Sequence, residues 1–257
     1  MGRVIAVANQ KGGVGKTTTA VNLGASLAVA GKSILLIDTD PQGNSTSGLG
    51  INRGSLTGSL YDIYNKTKNI EEVIFDTGIN NLKLIPSSID LVGAEIELTE
   101  KTGRESILKN ALEPVKSGYD FIFIDCPPAL SLLTLNALVA AGSILVPMQC
   151  EDYSLEGIGS LIKTIALVRG AFNPLLEIEG ILLTMFDGRN TLTNQVADEL
   201  RRHFGDKVYK TIIPRNITLA EAPSHGKPVI LYDNHSKGAQ SYISLAEEVI
   251  GNENSVG

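Results

Sequence analysis

The sequence predicts an α/β fold, a mostly parallel twisted sheet flanked by helices, and three observations carry that expectation. Runs of strand length recur at Val4–Ala8, Ile34–Ile37, Leu82–Ile85, Asp120–Asp125, Ser143–Met148 and Ile178–Thr184. Segments with helical spacing alternate with them, and short connections make right-handed crossovers the simplest topology. Several of the runs are continuously apolar, as suits strands buried on both faces, and two end in carboxylates, Asp38 and Asp125.

The first strand leads into Asn9-Gln10-Lys11-Gly12-Gly13-Val14-Gly15-Lys16-Thr17-Thr18, and a long helical segment follows. Strand, glycine loop and helix in that order make a phosphate-binding loop. Glycines let successive N–H groups turn inward as an anion nest, and the helix beginning near Lys16 adds the positive end of its dipole. Lys16 can reach the β- and γ-phosphates as a point charge, and the Thr17 hydroxyl can ligate the magnesium ion that bridges them.

The helix after the loop is expected over Thr18–Ala30, with Gly31 closing it. Beyond the strand at Ile34–Ile37 come Asp38-Thr39-Asp40-Pro41-Gln42, at the sheet edge where open α/β folds bind ligands. Residues 43–58 are rich in Gly, Ser, Asn and Thr and read as a surface loop with room for a short helix. Helices are expected over Leu60–Lys66, Leu91–Leu98, Glu105–Val115, Ser154–Ala171, Thr191–Phe204 and Ala239–Ile250, and a short strand over Lys210–Ile213 that turns out through Pro214-Arg215-Asn216. Residues 252–257 are expected to fray.

At 257 residues and 43% hydrophobic content the chain can bury a sizeable core, so one domain over 1–257 is the expectation. No apolar run approaches the roughly 20 residues that span a bilayer, and no charged leader precedes the first strand. A cytoplasmic protein is expected. Cys126 and Cys150 form no C-x-x-C pair, which points to neither zinc nor a disulfide framework. The net charge is −6, yet the stretch from Arg201 to Lys237 holds seven basic residues (Arg201, Arg202, Lys207, Lys210, Arg215, Lys227, Lys237) against three acidic ones. That local excess is the kind of footprint that contacts nucleic acid.

The strict pattern G-x-x-x-x-G-K-[ST] is not met, because Gln10 stands where its first glycine would be. The sequence K-G-G-V-G-K-T resembles instead the deviant Walker A motif of the MinD/ParA group of P-loop NTPases, and Asp120–Asp125 with Cys126-Pro127-Pro128 resembles a Walker B strand. D-x-D-P-Q at Asp38–Gln42 and I-P-R-N-x-x-x-x-E-A-P-S-x-G at Ile213–Gly226 narrow the likeness to the chromosomal ParA (Soj) partition ATPases, over nearly the whole chain. The chain starts at its first strand, as in the short form that lacks a helix-turn-helix operator-binding domain.

That resemblance implies a set of roles. The loop from Lys11 and Gly12 through Gly13, Val14, Gly15, Lys16, Thr17 and Thr18 would bind the phosphates of ATP or ADP with Mg2+. Lys11 would act in trans across an ATP-dependent sandwich homodimer. Thr17 would ligate the metal, Asp125 would hold it through a water, and Asp38 would stand behind it in a second shell. Asp40 would position or activate the attacking water. Pro214, Arg215 and Asn216 would cradle adenine. Arg189 matches a basic residue that the family uses on DNA, whereas Thr218 stands where related sequences often carry an arginine, which would either weaken DNA binding or shift the contact onto Arg201, Arg202, Lys207, Lys210, Lys227 or Lys237.

The implied function is an ATP-dependent segregation switch on the nucleoid: the dimer binds double-stranded DNA without sequence preference, and a ParB-like partner stimulates hydrolysis. The alternative is a MinD-like membrane ATPase, which ordinarily needs a basic amphipathic terminal helix. No lysine or arginine follows Lys237, so no membrane partner is expected. An iron–sulfur carrier of the same superfamily would need cysteine pairs that neither Cys126 nor Cys150 supplies.

Overall fold

In a computed structural model describing residues 2–151 and 154–253, one sheet contains β1 Arg3–Val7, β2 Ile34–Asp38, β3 Phe75–Asp76, β4 Leu82–Ile85, β5 Phe121–Asp125, β6 Ser143–Gln149, β7 Glu177–Phe186 and β8 Val208–Pro214. Their order is β3-β4-β2-β5-β1-β6-β7-β8, and every neighbouring pair is parallel except β3 with β4. The α/β expectation therefore holds. The helices are α1 Lys16–Val29, α2 Asn44–Gly48, α3 Leu60–Asn65, α4 Leu91–Glu97, α5 Ile107–Leu112, α6 Leu132–Ala140, α7 Ser154–Ala171, α8 Thr191–Phe204, α9 Ile217–Glu221, α10 Val229–Tyr232 and α11 Lys237–Glu253.

Successive strand side chains point to opposite faces, so the continuous apolar runs feed two cores. Leu35, Ile37, Ile122 and Ile124 meet Leu60 of α3, Leu91 of α4, Leu108 of α5, Leu133 of α6, Leu161 of α7 and Leu200 of α8. On the other face Ile34, Leu36, Phe121 and Phe123 meet Leu23 and Leu27 of α1, Val229 of α10 and Leu245 of α11. The edge strand β8 is shielded by α11, whose Glu248 accepts from the backbone N–H groups of Lys210 at 2.8 Å and Thr211 at 2.9 Å. Those donors would otherwise invite another strand.

Helix α1 opens at Lys16, at the end of the glycine loop as expected, and Gly31 follows its end at φ +89°, a conformation that favours glycine. Residues 43–58 depart further from expectation. They contain α2 and a 3-10 turn at Arg53–Ser55, and Ser45 and Thr46 are fully buried. Their hydroxyls bond buried carboxylates, which is why a polar composition lies inside. Glu105–Val115 is not one helix but a 3-10 turn, Arg104–Ser106, followed by α5, which stops short of Pro114. Helix α6 was not expected, because Leu132–Ala140 is apolar on nearly every side and gives no amphipathic period. At the C-terminal end, residues 252 and 253 are helical, and 254–257 lie outside the described residues.

One close approach joins α2 to the segment after β8. Gly50 and Gly226 have φ of +76° and +63°, and a Cβ on Gly226 would lie 2.6 Å from the Gly50 Cα. Gly226→Ala is therefore expected to destabilise the fold by about 2 kcal/mol or more, from left-handed backbone strain plus overlap with main chain that has little room to yield. Urea unfolding checks this, and an unchanged midpoint would contradict the contact.

Candidate functional site

The segment after β1 is held by its neighbours before any ligand arrives. Asn9 Nδ2 donates to the Pro147 carbonyl at 2.8 Å, and Asn9 Oδ1 accepts from the Lys11 N–H at 3.0 Å. Gln10 donates to the Thr164 hydroxyl of α7 at 3.2 Å and accepts from that of Ser160 at 3.0 Å. Thr184 Oγ1 donates to the Val14 carbonyl at 2.8 Å from the end of β7. Gly13 and Gly15, at φ +73° and +88°, give the loop its turn into α1.

Lys16 is buried, and its Nζ donates across the loop to the Lys11 carbonyl at 3.0 Å. Burial pushes its pKa down, while Asp125 opposes the shift. Lys11 is half exposed, with its Nζ 2.9 Å from Glu151 Oε2 of the same chain. Reaching a second copy would require it to leave that carboxylate.

Asp38 and Asp125 end adjacent parallel strands in direct register, and both are fully buried. Asp38 is fully engaged: Oδ2 accepts from the Thr46 N–H at 2.8 Å and hydroxyl at 2.7 Å, and Oδ1 from the Asp40 N–H at 3.2 Å. Asp125 Oδ2 accepts from Ser45 Oγ at 2.8 Å, whereas its Oδ1 is buried with no hydrogen-bond partner among the described residues. Desolvation raises both pKa values, and Asp38 pushes Asp125 further, against the Ser45 and Thr17 hydroxyls. A buried carboxylate oxygen without a donor, beside a threonine hydroxyl, fits a magnesium ion or its water; the satisfied Asp38 fits a place behind it.

The loop opens on a cavity of about 550 Å³ at the carboxyl ends of the strands. Gly12, Gly13, Gly15, Lys16, Thr17, Thr18 and Asp40 line it together with Pro214, Arg215 and Asn216. The structure thus brings the phosphate loop to a segment about 200 residues further along. Asn216 caps α9 by accepting from the Leu219 N–H at 3.3 Å. The sequence did not single out Asn44, Met185, Leu219, Ala220 or Tyr242, which also line it. Thr184 and Met185 could have been sought at the end of their strand, but Tyr242 sits in a helix with no motif. Its hydroxyl bonds Thr19 of α1 at 3.1 Å. Met185 holds φ +48°, unusual for a residue with a side chain and typical of a functional site.

The basic residues do not form one surface. Helix α8 runs from the end of β7 back to the start of β8, which puts Arg201, Arg202, Lys207 and Lys210 at the edge opposite the cavity. Arg189 follows the end of β7. Lys227 and Lys237 adjoin Gly226 and Gly238, which touch Gly50 and Asn216 respectively, so all three lie toward the cavity edge. Arg189 is highly exposed and grips Asp187 with two bonds of 2.9 and 2.8 Å, holding that carboxyl at about 2.

A family model described as an AAA domain matches residues 2–178. The chain is 56% identical over 252 residues to the sporulation initiation inhibitor protein Soj of Bacillus subtilis, covering 98% of this chain and 100% of that one. It belongs to the ParA/Soj family of chromosome-partitioning ATPases. The chromosome-partitioning ATPase Soj of Treponema pallidum is 50% identical, over 97% of this chain and 98% of its own. Among solved structures, cobyrinic acid a,c-diamide synthase of Mycobacterium smegmatis, with bound ATP analog and magnesium, is 36% identical with a TM-score of 0.86, covering 100% of this chain and 98% of that one. ATP or ADP with Mg2+ is the ligand set of this ATPase family, and the cavity's donors fit it.

The raised carboxyl pKa values have a consequence for the ligand-free protein. A group whose folded pKa lies above its unfolded value lends stability at acid pH and loses it as pH rises through the folded value. Asp125→Asn is therefore expected to raise the melting temperature of the nucleotide-free protein above pH 7 by about 2–4 °C, roughly 1 kcal/mol for a chain this size, with the gain vanishing toward pH 4. The same variant should lose stabilisation by Mg2+ with ATP. Equal melting curves at every pH would contradict the strained pair.

Proposed function

We propose that this ATPase is a nucleotide-driven switch for segregating chromosomal or plasmid DNA. In this reading two ATP-bound copies form a sandwich dimer in the cytoplasm, the dimer binds the nucleoid without sequence preference, and a ParB-like partner stimulates hydrolysis to ADP and phosphate. The observation that carries it is one cavity lined together by Gly12, Gly13, Gly15, Lys16, Thr17 and Thr18 of the loop, by Asp40 and by Pro214–Asn216. Among the described residues no helix is long and apolar enough to cross a membrane.

Each residue has a physical task. Lys16 and the loop N–H groups hold the β- and γ-phosphates, and Lys11, released from Glu151, reaches the partner copy's nucleotide. Mg2+, when bound, neutralises charge on the phosphates; Thr17 and Asp125 would hold it, the latter through a water. Pro214 and Asn216 flank the base, with Arg215 nearby. Asp40 lines the same cavity as the loop, where a carboxylate can orient an attacking water and take its proton.

Asp40→Ala should retain ATP and Mg2+ but lower turnover by about 100-fold, because the ground-state phosphate contacts remain. The trapped ATP dimer should then persist on DNA. Steady-state hydrolysis with DNA and partner present checks this, and an unchanged rate removes Asp40 from the chemistry.

DNA contact in this reading starts from Arg189, with Lys227 and Lys237 on the same side of the sheet and Arg201, Arg202, Lys207 and Lys210 as a separate group. Dimerisation doubles the phosphate contacts, and each contact releases counterions, so affinity should rise with ATP and fall with salt. Arg189→Glu should weaken retention on DNA of any sequence, leave dimerisation intact, and make the slope of log affinity against log salt shallower by about 2, one unit per copy. Wild-type affinity and slope in the variant dimer would make Arg189 a bystander.

A further inference from the structure

The turn that carries Asp40 is held by a residue outside every recognised motif. Asp40 through Gly43 form a tight turn in which the Gly43 N–H donates to the Asp40 carbonyl at 2.8 Å, and Gly43 holds φ +67°. Within it, the Gln42 N–H donates to Asp40 Oδ1 at 2.9 Å and so sets the direction of the carboxylate. From the other side Arg53 donates through Nη2 to the Pro41 carbonyl at 3.0 Å and through Nη1 to the Gln42 carbonyl at 2.6 Å.

Those four bonds use two consecutive peptide units. The Pro41 carbonyl and the Gln42 N–H belong to one rigid plane, and the Gln42 carbonyl and the Gly43 N–H belong to the next. In each plane Arg53 holds the oxygen while the hydrogen points to Asp40. Rotating either peptide away from Arg53 therefore withdraws a donor from Asp40. The guanidinium charge also polarises both peptides and strengthens the N–H groups on their far sides.

Arg53 is committed to this contact. It is half buried, no carboxylate lies within ion-pair distance of it among the described residues, and its guanidinium lies flat against Gly43, where a Cβ would come within 2.7 Å of Cζ. The Asp40 carbonyl is fixed independently by Ser87 Oγ at 2.5 Å. Helix α2, which follows the turn, is anchored by Ser45 on Asp125 and Thr46 on Asp38, not by Arg53.

We propose that Arg53 is a positioning residue for ATP hydrolysis, a two-pronged clamp on the Asp40–Gly43 turn that aims the Asp40 carboxylate at the attacking water. This rests on the reading of Asp40 as the water-orienting group. Because the anchors of α2 and the phosphate loop are separate, loss of Arg53 lowers the rate of the chemical step and leaves ATP affinity and folding in place.

The test is single-turnover ATP hydrolysis, with protein in excess, for the parent, Arg53→Ala, Arg53→Lys, Asp40→Ala and the double Asp40→Ala/Arg53→Ala variant, alongside equilibrium ATP affinity and melting temperature. Arg53→Ala is expected to be about 10- to 100-fold slower, as misplacement of a catalytic group by an ångström produces, with ATP affinity unchanged within about twofold. Arg53→Lys should fall between, since an ammonium lacks the planar fork that grips two carbonyls. In the Asp40→Ala background removal of Arg53 should change the residual rate by less than about twofold, because its effect passes through Asp40. A parent rate in Arg53→Ala, a loss confined to ATP affinity, or the same fold-loss with and without Asp40 would each overturn the clamp. A parent rate in Asp40→Ala alone would instead remove the reading of Asp40 on which the clamp rests.

Discussion

Two carboxylates ending adjacent strands, buried side by side, are the constraint around which this protein is built. Asp38 and Asp125 repel each other in a setting where neither is hydrated, and such a pair persists only when its neighbours are arranged to satisfy it. Serine and threonine from α2, the Asp40 N–H and the buried Lys16 ammonium supply that arrangement. One oxygen, Asp125 Oδ1, is left over. In the proposed function that unsatisfied oxygen is what a cation or its water would complete, and local instability is the cost of a preorganised site.

The same pair explains how nucleotide chemistry is connected to the rest of the chain. Helix α2 is tied to the carboxylates through its buried hydroxyls, and its exit at Gly50 lies against Gly226 in the segment that follows the cavity-lining Pro214–Asn216. The strand-end carboxylates and the segment after β8 are thus joined through buried hydroxyls and packed backbone. Gln10, which replaces the first glycine of the strict loop motif, adds a link to α7.

Much of this was legible in the sequence, for identifiable reasons. Continuous apolar runs ending in Asp38 and Asp125 gave the parallel sheet and its ligand edge, because burial on both faces leaves no other pattern. The loop at Lys11–Thr18 was legible because glycine, lysine and threonine at that spacing answer to phosphate geometry. What the sequence hid follows equally from physics. Ser45 and Thr46 looked like surface because polar residues are buried only when paired, and their partners come from distant strands. Helix α6 gave no period because so little of it is polar. The basic stretch from Arg201 to Lys237 looked like one patch, yet the seven-residue β8 runs through it and carries the chain about 20 Å from the edge opposite the cavity to the cavity edge. Arg53 belonged to no motif, since its task is defined by two backbone carbonyls.

The cation and phosphate roles of the buried cluster can be tested together by following thermal unfolding of the protein with neither ligand, Mg2+ alone, ATP alone, and both. A ligand that binds only the folded state stabilises it in proportion to the logarithm of its saturation, about 2.7 kcal/mol at a hundredfold excess over Kd. ATP with Mg2+ should raise the melting temperature well beyond the sum of the separate effects, because the metal completes Asp125 only when the phosphates are present to share it. The increment should disappear in Lys16→Ala. Stabilisation by ATP that is indifferent to Mg2+, or that survives the loss of Lys16, would contradict a site organised around the buried carboxylates.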